Sequence, residues 1–430
     1  MTQPARAASW IGLEAAREQI LAAIAPTNAE QCTLDEALGR VLAQAVVSPL
    51  DLPPWDNSGM DGFAVRSADI EGASADIPAR LALIESVQAG GMATRSVGAH
   101  EAIKITTGAP VPAGADTVVR VEHTREDGTT VVVFSDADAQ RNIRPRGEDV
   151  AANQIAVNAG TVLRAGEIGL LASVGCARVR VHRRPVVAIL STGDELVDVD
   201  HFDEVLAGRR IVNSNSYALA AAVRSIGAVP WSLGIARDDR ADLRAHLMRS
   251  LDADVLVTSA GASVGEHDLV KDVLEELGAE TNFWRVRIRP GSPFSFGRLQ
   301  HVPVFGLPGN PVSAVVTFEI LVKPALRRML GRHALYSPVV SARLAQDVVS
   351  RTGLTQFMRV TLEQAPAGLS ARLTGPQGSG MLSSIARADG LMVVPEDVDM
   401  LQTGSEVKIV RLLAADDAQT EPGFQTRMTT

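Results

Sequence analysis

The chain has few of the residues that stabilise small secreted proteins or zinc-binding modules. It contains two cysteines, Cys32 and Cys176, among 430 residues, and aromatic residues make up only 4%. Two distant thiols form neither a disulfide framework nor a zinc knuckle, so the sequence indicates a reducing cytoplasm. Because aromatic rings are scarce, the core must be built mainly from alanine, valine, leucine and isoleucine.

Several further classes of protein are disfavoured by what the sequence lacks. No stretch reaches about 18 uncharged apolar residues, so we expect no membrane span, and MTQPARAASW has no apolar run typical of a signal peptide. The net charge is −9, from 41 basic and 50 acidic residues, which argues against broad nucleic-acid binding. The eight histidines form no H-x-x-x-H pair, and no Ser-His-Asp or Cys-His nucleophile system is evident.

Shifts in composition divide the chain into several domains, as its length requires. The expected order is a helical or linker domain with an inserted β-rich domain, then a doubly wound α/β domain, a C-terminal β-barrel and a disordered tail. These cover, in turn, residues 8–50 with 149–182, 51–148, 183–330, 331–412 and 413–430. In the first of them Thr33 and Glu36 form a capping box, which predicts a helix through Val41.

The α/β domain is predicted from regular alternation of apolar strands and amphipathic helices. Strands are predicted at 185–191, 229–235, 254–259, 283–288 and 303–306, and helices at 214–226, 239–251, 267–277 and 312–330. In such open sheets ligands bind at the carboxyl ends of the strands.

Two strand ends carry the strongest chemical signal. Ala188–Leu196 reads AILSTGDEL and Val304–Ser313 reads VFGLPGNPVS, so each strand ends in a polar, glycine-containing turn before a helix. Asp194 and Glu195 suit Mg²⁺, which takes one or two protein carboxylates together with substrate phosphates. A capped turn with solvated acids explains the same pair equally well. Ser313 and the N–H groups of the first helical turn form a candidate anion seat.

Two other segments suit phosphate, pterin or oxyanion binding. Thr258–Asp268 reads TSAGASVGEHD, whose glycines and serines suit a phosphate or a pterin, although a plain glycine-rich turn is the simpler reading. It lacks the GK[ST] ending of a P-loop. Arg285, Arg287 and Arg289 alternate, which predicts one cationic strand face for an anion, or else a solvated sheet edge.

Nine motifs in a fixed order give these patterns a common interpretation. They are NSGMDGFAV, KITTGAPVPAGADTVV, RPRGEDV, VVAILSTGDEL, NSNSYAL, GIARDD, SVGEHD, LPGNPVSA and GPQGS. In these motifs the chain resembles the molybdopterin molybdotransferase family, the MoeA and gephyrin E-domain type. The resemblance implies a multidomain α/β fold and insertion of molybdate into adenylylated molybdopterin, with Mg²⁺-dependent release of AMP.

The resemblance also implies partners. It indicates a cytoplasmic homodimer whose active cleft lies between subunits, with the β-rich part of one subunit facing the α/β part of the other. A molybdopterin adenylyltransferase and acceptor molybdoenzymes are expected partners, whereas nucleic acid and membrane are not.

The site residues implied by the resemblance fall into four groups. The catalytic group is Asp61, Thr107, Asp149, Glu195, Asp238 and Asp268, of which Glu195, Asp238 and Asp268 would hold the metal. The substrate-binding group is Ser259, Gly261, Ser263, Gly265, Arg285, Arg287, Pro308, Gly309, Asn310 and Pro311. The molybdate group is Arg289, Ser292, Pro293, Ser313, Arg359 and Ser379.

The chain departs from the family pattern at two places. SAGASVG stands at 259–265 where the family usually has SGGVSVG, and RPGSP stands at 289–293 where it usually has KPGKP. Ser292 therefore replaces a lysine at the expected molybdate seat, and Arg287 is expected to compensate from the same strand face. These departures leave two alternatives open, a non-catalytic protein that binds or delivers molybdopterin and a transferase that prefers tungstate.

Overall fold

A computed structural model of the protein describes residues 10–259, 269–366 and 368–412. These residues form two compact units. The first unit contains residues 10–30, 39–41 and 181–412 of the described chain, and the second contains 31–38 and 42–180. The predicted tail, 413–430, lies outside the described residues. Within the described part of the chain, no helix combines the length and apolarity needed to cross a bilayer.

The helices and strands have the following bounds. The helices are α1 Leu13–Ala23, α2 Ala165–Ser173, α3 Phe202–Leu206, α4 Ser214–Ser225, α5 Arg240–Arg249, α6 Leu269–Glu276, α7 Pro311–Thr317, α8 Lys323–Met329 and α9 Leu382–Ala386. The strands are β1 Ala29–Thr33, β2 Val46–Val47, β3 Asn57–Ser58, β4 Gly62–Val65, β5 Ala79–Val87, β6 Glu101–Ile105, β7 Thr117–Arg120, β8 Thr124–Asp127, β9 Thr130–Val133, β10 Ile143–Arg144, β11 Ile155–Val157, β12 Arg178–His182, β13 Val186–Thr192, β14 Leu196–Val197, β15 Ile211–Val212, β16 Val229–Ala236, β17 Val255–Ser259, β18 Glu280–Phe283, β19 Ile288–Arg289, β20 Ser295–Leu299, β21 Val302–Leu307, β22 Val339–Leu344, β23 Val348–Val349, β24 Thr355–Ala365, β25 Gly368–Leu373, β26 Gly390–Val394, β27 Met400–Leu401 and β28 Glu406–Arg411.

The second unit is built around a six-stranded sheet in the order β7-β4-β6-β5-β9-β8. Side chains that alternate along β4 enter two different cores: Phe63 and Val65 pack with Val119 on one face, and Ala64 packs with Ile103 on the other. Both faces of the sheet at β4 are therefore apolar. The predicted β-rich character of this region is confirmed.

The predicted helix from Thr33 to Val41 is wrong. The Glu36 carboxylate accepts the backbone N–H and the hydroxyl of Thr33 at 3.1 and 3.0 Å, so the capping contact forms. However, it closes only a turn, because Gly39 adopts a φ of +74° and ends it. Leu42 then donates its N–H to the Thr161 carbonyl, which binds the chain in an extended conformation instead.

The α/β part of the first unit has a six-stranded sheet in the order β16-β13-β17-β21-β20-β18. The four strands β16, β13, β17 and β21 are parallel, whereas β20 and β18 are antiparallel. Helices α1, α4, α7 and α8 pack on one face and α5 and α6 on the other. This is the predicted doubly wound arrangement, with parallel strands buried on both faces.

The predicted helix at 312–330 is confirmed as one helical run, with a wider π-helical turn at Phe318–Val322 between α7 and α8. The predicted C-terminal barrel is also confirmed. Strands β24, β25, β22, β28 and β26 pair in this order, and β26 pairs back with β24 to close the barrel.

The predicted strand at 283–288 is wrong, and so is the predicted common face of Arg285, Arg287 and Arg289. Strand β18 ends at Phe283, and β19, Ile288–Arg289, pairs in parallel with β24 of the barrel. The segment therefore leaves the α/β sheet. Arg285 and Arg287 bond through their backbone to Ile11, and Ile288–Arg289 then joins the sheet of the barrel.

Candidate functional site

Two neighbouring cavities lie beside the carboxyl ends of the parallel strands. The first, which we call the strand-end cavity, has a volume of about 630 Å³ and is lined by Thr192, Glu195, Leu196, Ile211, Val212, Asn213, Ser214, Asn215, Ser259, Pro293, Pro308, Gly309, Asn310, Pro311 and Gly380. The second, the arginine cavity, has a volume of about 590 Å³ and is lined chiefly by Arg289, Ser292, Pro293, Asn310, Ser313, Asp347, Gln356, Arg359, Gln377 and Ser379. Both cavities are walled by Pro293 and Asn310.

The strand-end cavity brings together residues from three parallel strands. Glu195 follows β13, Ser259 ends β17, and the turn 308–311 follows β21. The structure thus unites Glu195 with Ser259, Pro308, Gly309, Asn310 and Pro311 of the predicted site. Gly261, Ser263, Gly265 and Asp268 lie outside the described residues.

The acidic residues beside this cavity are held by backbone N–H groups. The Asp238 carboxylate accepts the N–H of Asp194 at 3.4 Å, and the Asp194 carboxylate accepts the N–H of Asp238 at 3.3 Å. The two turns after β13 and β16 therefore fix each other. Asp238 does not line either cavity, so of the described residues predicted to hold metal only Glu195 reaches the strand-end cavity.

Gly193 is required by the position of the Glu195 side chain. Its φ is +140°, and an added Cβ would lie 2.5 Å from one carboxylate oxygen of Glu195. Any larger residue at 193 would therefore displace that carboxylate. Among the described residues, no cluster of three or more His, Cys, Asp or Glu side chains could hold a metal ion.

The arginine cavity collects all six residues of the expected molybdate group. Arg289 and Ser292 come from the segment around β19, Ser313 from α7, Arg359 from β24 and Ser379 from the turn before α9, while Pro293 closes the wall shared with the strand-end cavity. These residues are far apart in sequence, and the fold brings them to one concave surface.

Arg359 is the dominant charge of this cavity. The residue is 1% exposed, its Nε donates to Ser384 Oγ at 3.0 Å and its Nη2 donates to the Gly378 carbonyl at 2.9 Å. Within the described part of the chain it forms no salt bridge, and burial lowers the pKa of its guanidinium. Arginine nonetheless stays charged in proteins, so the cavity contains a desolvated cation that an anion would stabilise.

Two details change the expected anion seat. The Ser292 hydroxyl donates to the Ile288 carbonyl, so it braces its own turn. The N–H of Val312, in the first turn of α7, donates to the Ser379 carbonyl at 3.0 Å and is not available to a ligand. The expected seat therefore loses one hydroxyl and one backbone N–H, and the side chains of Arg289, Arg359 and the buried Ser313 remain in the lining of the cavity.

Arg285 and Arg287 do not line either cavity. The Arg285 guanidinium lies over the Trp10 ring, 5.5 Å from its centroid. Arg287 pairs with Glu396, with Nε and the carboxylate 3.3 Å apart. Arg287 therefore does not replace the lysine that is missing at Ser292, contrary to the expectation from sequence.

Asp61, Thr107 and Asp149 lie in the second unit. The Asp61 carboxylate accepts the N–H and the hydroxyl of Thr107 at 2.7 and 3.0 Å. These hydrogen bonds lower the pKa of Asp61, which keeps this exposed carboxylate ionised at neutral pH. Asp149 is also exposed, and its N–H donates to the Leu52 carbonyl.

Sequence reasoning missed several residues of the cavities. Asn213 and Asn215 line the strand-end cavity, and Gln356 and Gln377 line the arginine cavity. The only available signal was the pair of asparagines in NSNSYAL at the start of a predicted helix. The glutamines lie on or near barrel strands, where a single polar residue has no distinctive pattern.

Three family descriptions match successive parts of the chain. The MoeA N-terminal region (domain I and II) matches residues 11–175, a probable molybdopterin binding domain matches 188–328, and the MoeA C-terminal region (domain IV) matches 341–412. Together they account for both units and for both cavities.

Individual proteins match over most of their length. The chain is 39% identical over 383 residues to molybdopterin molybdenumtransferase 2 of Mycobacterium tuberculosis, which covers 87% of this chain and 93% of that protein. It is 35% identical over 382 residues to molybdopterin molybdenumtransferase of Nostoc sp., covering 87% of each. The crystal structure of the molybdopterin biosynthesis moeA protein from Pyrococcus horikoshii superimposes with a TM-score of 0.82 at 30% identity, over 94% of this chain and 100% of that one.

Replacing Arg359 with lysine tests the arginine cavity. Lysine lacks the planar fork that donates to Ser384 and Gly378 at the same time, so we expect R359K to weaken molybdate binding about tenfold or more, or about 1.4 kcal/mol. Calorimetric titration with molybdate measures this, and R372K, on the exposed side of β25, serves as the control. Equal molybdate affinity in R359K and the wild type would contradict the assignment.

Proposed function

Because the chain belongs to the MoeA family of molybdopterin molybdenumtransferases, we propose that it inserts molybdate into adenylylated molybdopterin and releases AMP. The protein is a transferase of molybdenum cofactor biosynthesis. The observation that carries the proposed reaction is the pair of adjoining cavities. One is lined by two arginines and one carboxylate, that of Asp347, which already accepts from Thr403, and the other by hydroxyl, amide and carboxylate groups.

The arginine cavity suits molybdate. This substrate is a tetrahedral dianion, and arginine guanidinium groups bind such oxyanions through charge-assisted hydrogen bonds. We propose that Arg289 and Arg359 neutralise it and that the Ser313 hydroxyl donates to one of its oxygens. Burial removes the Arg359 guanidinium from water. A bound anion would therefore replace part of the favourable interaction that water supplies to an exposed guanidinium.

The strand-end cavity suits the pterin pyrophosphate. Asn310 and Pro293 wall both cavities, so a dithiolene at their junction would lie next to the molybdate oxygens. In the proposed reaction the two dithiol sulfurs bind molybdenum while one molybdate oxygen leaves as water with the two thiol protons. A water molecule cleaves the phosphoanhydride bond, which releases AMP and leaves the terminal phosphate on the pterin. The contribution of the protein is to hold the two substrates in contact, which removes the entropy cost of their encounter.

Mg²⁺ is part of the proposed reaction. Its preferred set of ligands, one or two carboxylates with substrate phosphates, fits the single carboxylate of Glu195 in the strand-end cavity, with Asp238 and Asp268 as further candidates from the resemblance. Bound there, the cation would neutralise charge on the pyrophosphate. Gly193 supports this role because it leaves room for the Glu195 side chain.

We further propose a homodimer whose active sites are shared between subunits in the cytoplasm. Asp61 and Thr107 are hydrogen-bonded on an exposed surface of the second unit, and this contact keeps the Asp61 carboxylate ionised. The resemblance assigns these two residues to the neighbouring subunit's cleft. The adenylylated substrate implies a molybdopterin adenylyltransferase before this step, and the product implies acceptor molybdoenzymes after it.

The central test is AMP release by the purified protein. We expect AMP and active cofactor to form from adenylylated molybdopterin only when both molybdate and Mg²⁺ are present, with E195Q strongly impaired. Chromatographic measurement of AMP checks this. Absence of AMP at every molybdate concentration, with intact nucleotide still bound, would instead indicate a delivery protein. Faster turnover with tungstate in direct competition would indicate the tungstate-preferring alternative.

Ser292→Lys tests the departure from the family pattern. A lysine adds a cation to a cavity that already favours anions, so we expect molybdate to bind more tightly by about 1–3 kcal/mol. Calorimetry with molybdate measures the change. S292A is the control, because it removes the hydroxyl that donates to the Ile288 carbonyl without adding a charge. It should leave the affinity for molybdate nearly unchanged. Unchanged affinity in S292K would mean that Arg289 and Arg359 already supply enough charge.

Mixed dimers test whether the active site is shared. D61N and E195Q should each be inactive, but mixed dimers isolated through two different tags should recover about half of wild-type activity, because one of their two sites holds both native residues. AMP release by the doubly tagged species measures this. Complete inactivity of doubly tagged dimers would place both residues in the site of a single subunit.

A further inference from the structure

One buried amide connects two walls of the strand-end cavity. Asn215, near the start of α4, donates from Nδ2 to Ser259 Oγ at 2.7 Å and to the Gly309 carbonyl at 2.8 Å. Ser259 is the last residue of β17, and Gly309 lies in the turn that follows β21. The side chain is 9% exposed in total, so water competes little for these hydrogen bonds.

The chemistry of the two acceptors fixes the orientation of this amide. A backbone carbonyl can only accept, so the nitrogen of the Asn215 side chain must face Gly309. The same nitrogen carries a second proton, and Ser259 Oγ accepts it. The last backbone pair between β17 and β21 joins Ser259 with Leu307, so Asn215 extends the connection between these strands beyond the sheet.

The turn of α4 that carries Asn215 is itself anchored to a third strand. Asn213 Oδ1 accepts from Ser191 Oγ, in β13, at 2.9 Å and from the Ser216 N–H at 3.3 Å, and Asn213 Nδ2 donates to Ser216 Oγ at 2.8 Å. All of these groups are buried. Side-chain hydrogen bonds therefore connect β13, the end of β17 and the turn after β21 to the start of α4.

We propose that Asn215 is a positioning residue for the pterin substrate: it sets the separation of the Ser259 wall and the Pro308–Asn310 wall before the substrate binds. This inference rests on the proposed function for the identity of the substrate. When the two walls are already fixed, binding does not have to order them, so less conformational entropy is lost and the substrate binds more tightly. Arg359 of the arginine cavity is braced separately, through Ser384 and Gly378, so loss of Asn215 should affect molybdate binding much less than pterin binding.

The test compares N215A and N215D with V223A. Val223 lies on α4 with its side chain in the apolar core, so V223A lowers stability without removing the amide bridge. We expect N215A to raise the KM for adenylylated molybdopterin about 10- to 100-fold, while half-saturation by molybdate changes much less. N215D should be worse than N215A, because a carboxylate has no proton for either acceptor and repels the Gly309 carbonyl.

Hydrogen exchange gives a readout that needs no activity. Amide exchange in the peptides containing Ser259 and Gly309 should be faster in ligand-free N215A than in the wild type, and should not change in V223A. An equal increase of the exchange rate in V223A, or no increase in N215A, would overturn the positioning role. A wild-type protein that releases no AMP would reject the proposed function, while the exchange comparison would still decide whether Asn215 fixes the two walls.

An unchanged KM for the adenylylated pterin in N215A, in a protein that does release AMP, would likewise overturn the inference and leave the proposed function in place. A loss of molybdate affinity equal to the loss of pterin affinity would also count against it, because general loosening of the unit would then explain both.

Discussion

The short parallel pairing of β19 with β24 is the contact on which the arginine cavity depends. It aligns Ile288 with Thr355 and Arg289 with Gln356, and Thr355 donates its N–H to the Arg287 carbonyl at 3.1 Å. A segment that comes from the α/β part is thereby added to the sheet of the barrel. Arg359 lies further along the same barrel strand, so this pairing brings two cations from different domains to one cavity.

The two cavities divide the chemistry between two parts of the fold. The strand-end cavity uses the shared edge of parallel strands, where hydroxyls, amides and one carboxylate suit a pyrophosphate and its counter-ion. The arginine cavity uses buried positive charge, which favours a compact dianion over neutral ligands. Placing the two next to each other serves a reaction in which a metal oxyanion must meet an organic ligand.

The sequence predicts the regular parts of this structure well and the irregular parts poorly. Buried parallel strands such as Val186–Thr192 are read directly from apolar runs. Ser313 lies in the motif LPGNPVSA, whereas Arg359 lies in none of the nine motifs and was implied only by the family resemblance. The alternating arginines mislead because periodicity cannot reveal that Ile288–Arg289 pairs with a strand more than sixty residues later. Likewise, Thr33 and Glu36 form their capping contact, but the left-handed Gly39 and the hydrogen bond from Leu42 to the Thr161 carbonyl prevent the helix that they would begin.

The wall formed by Pro293 and Asn310 belongs to both cavities, and this gives the two binding events a thermodynamic relation. A shift of the wall imposed by one ligand changes the free energy with which the other binds. Thermodynamic linkage requires the two effects to be equal. The factor by which bound pterin changes the affinity for the oxyanion is therefore also the factor by which bound oxyanion changes the affinity for the pterin. In the proposed ternary complex, the two substrates would thus be coupled through two residues that carry no charge.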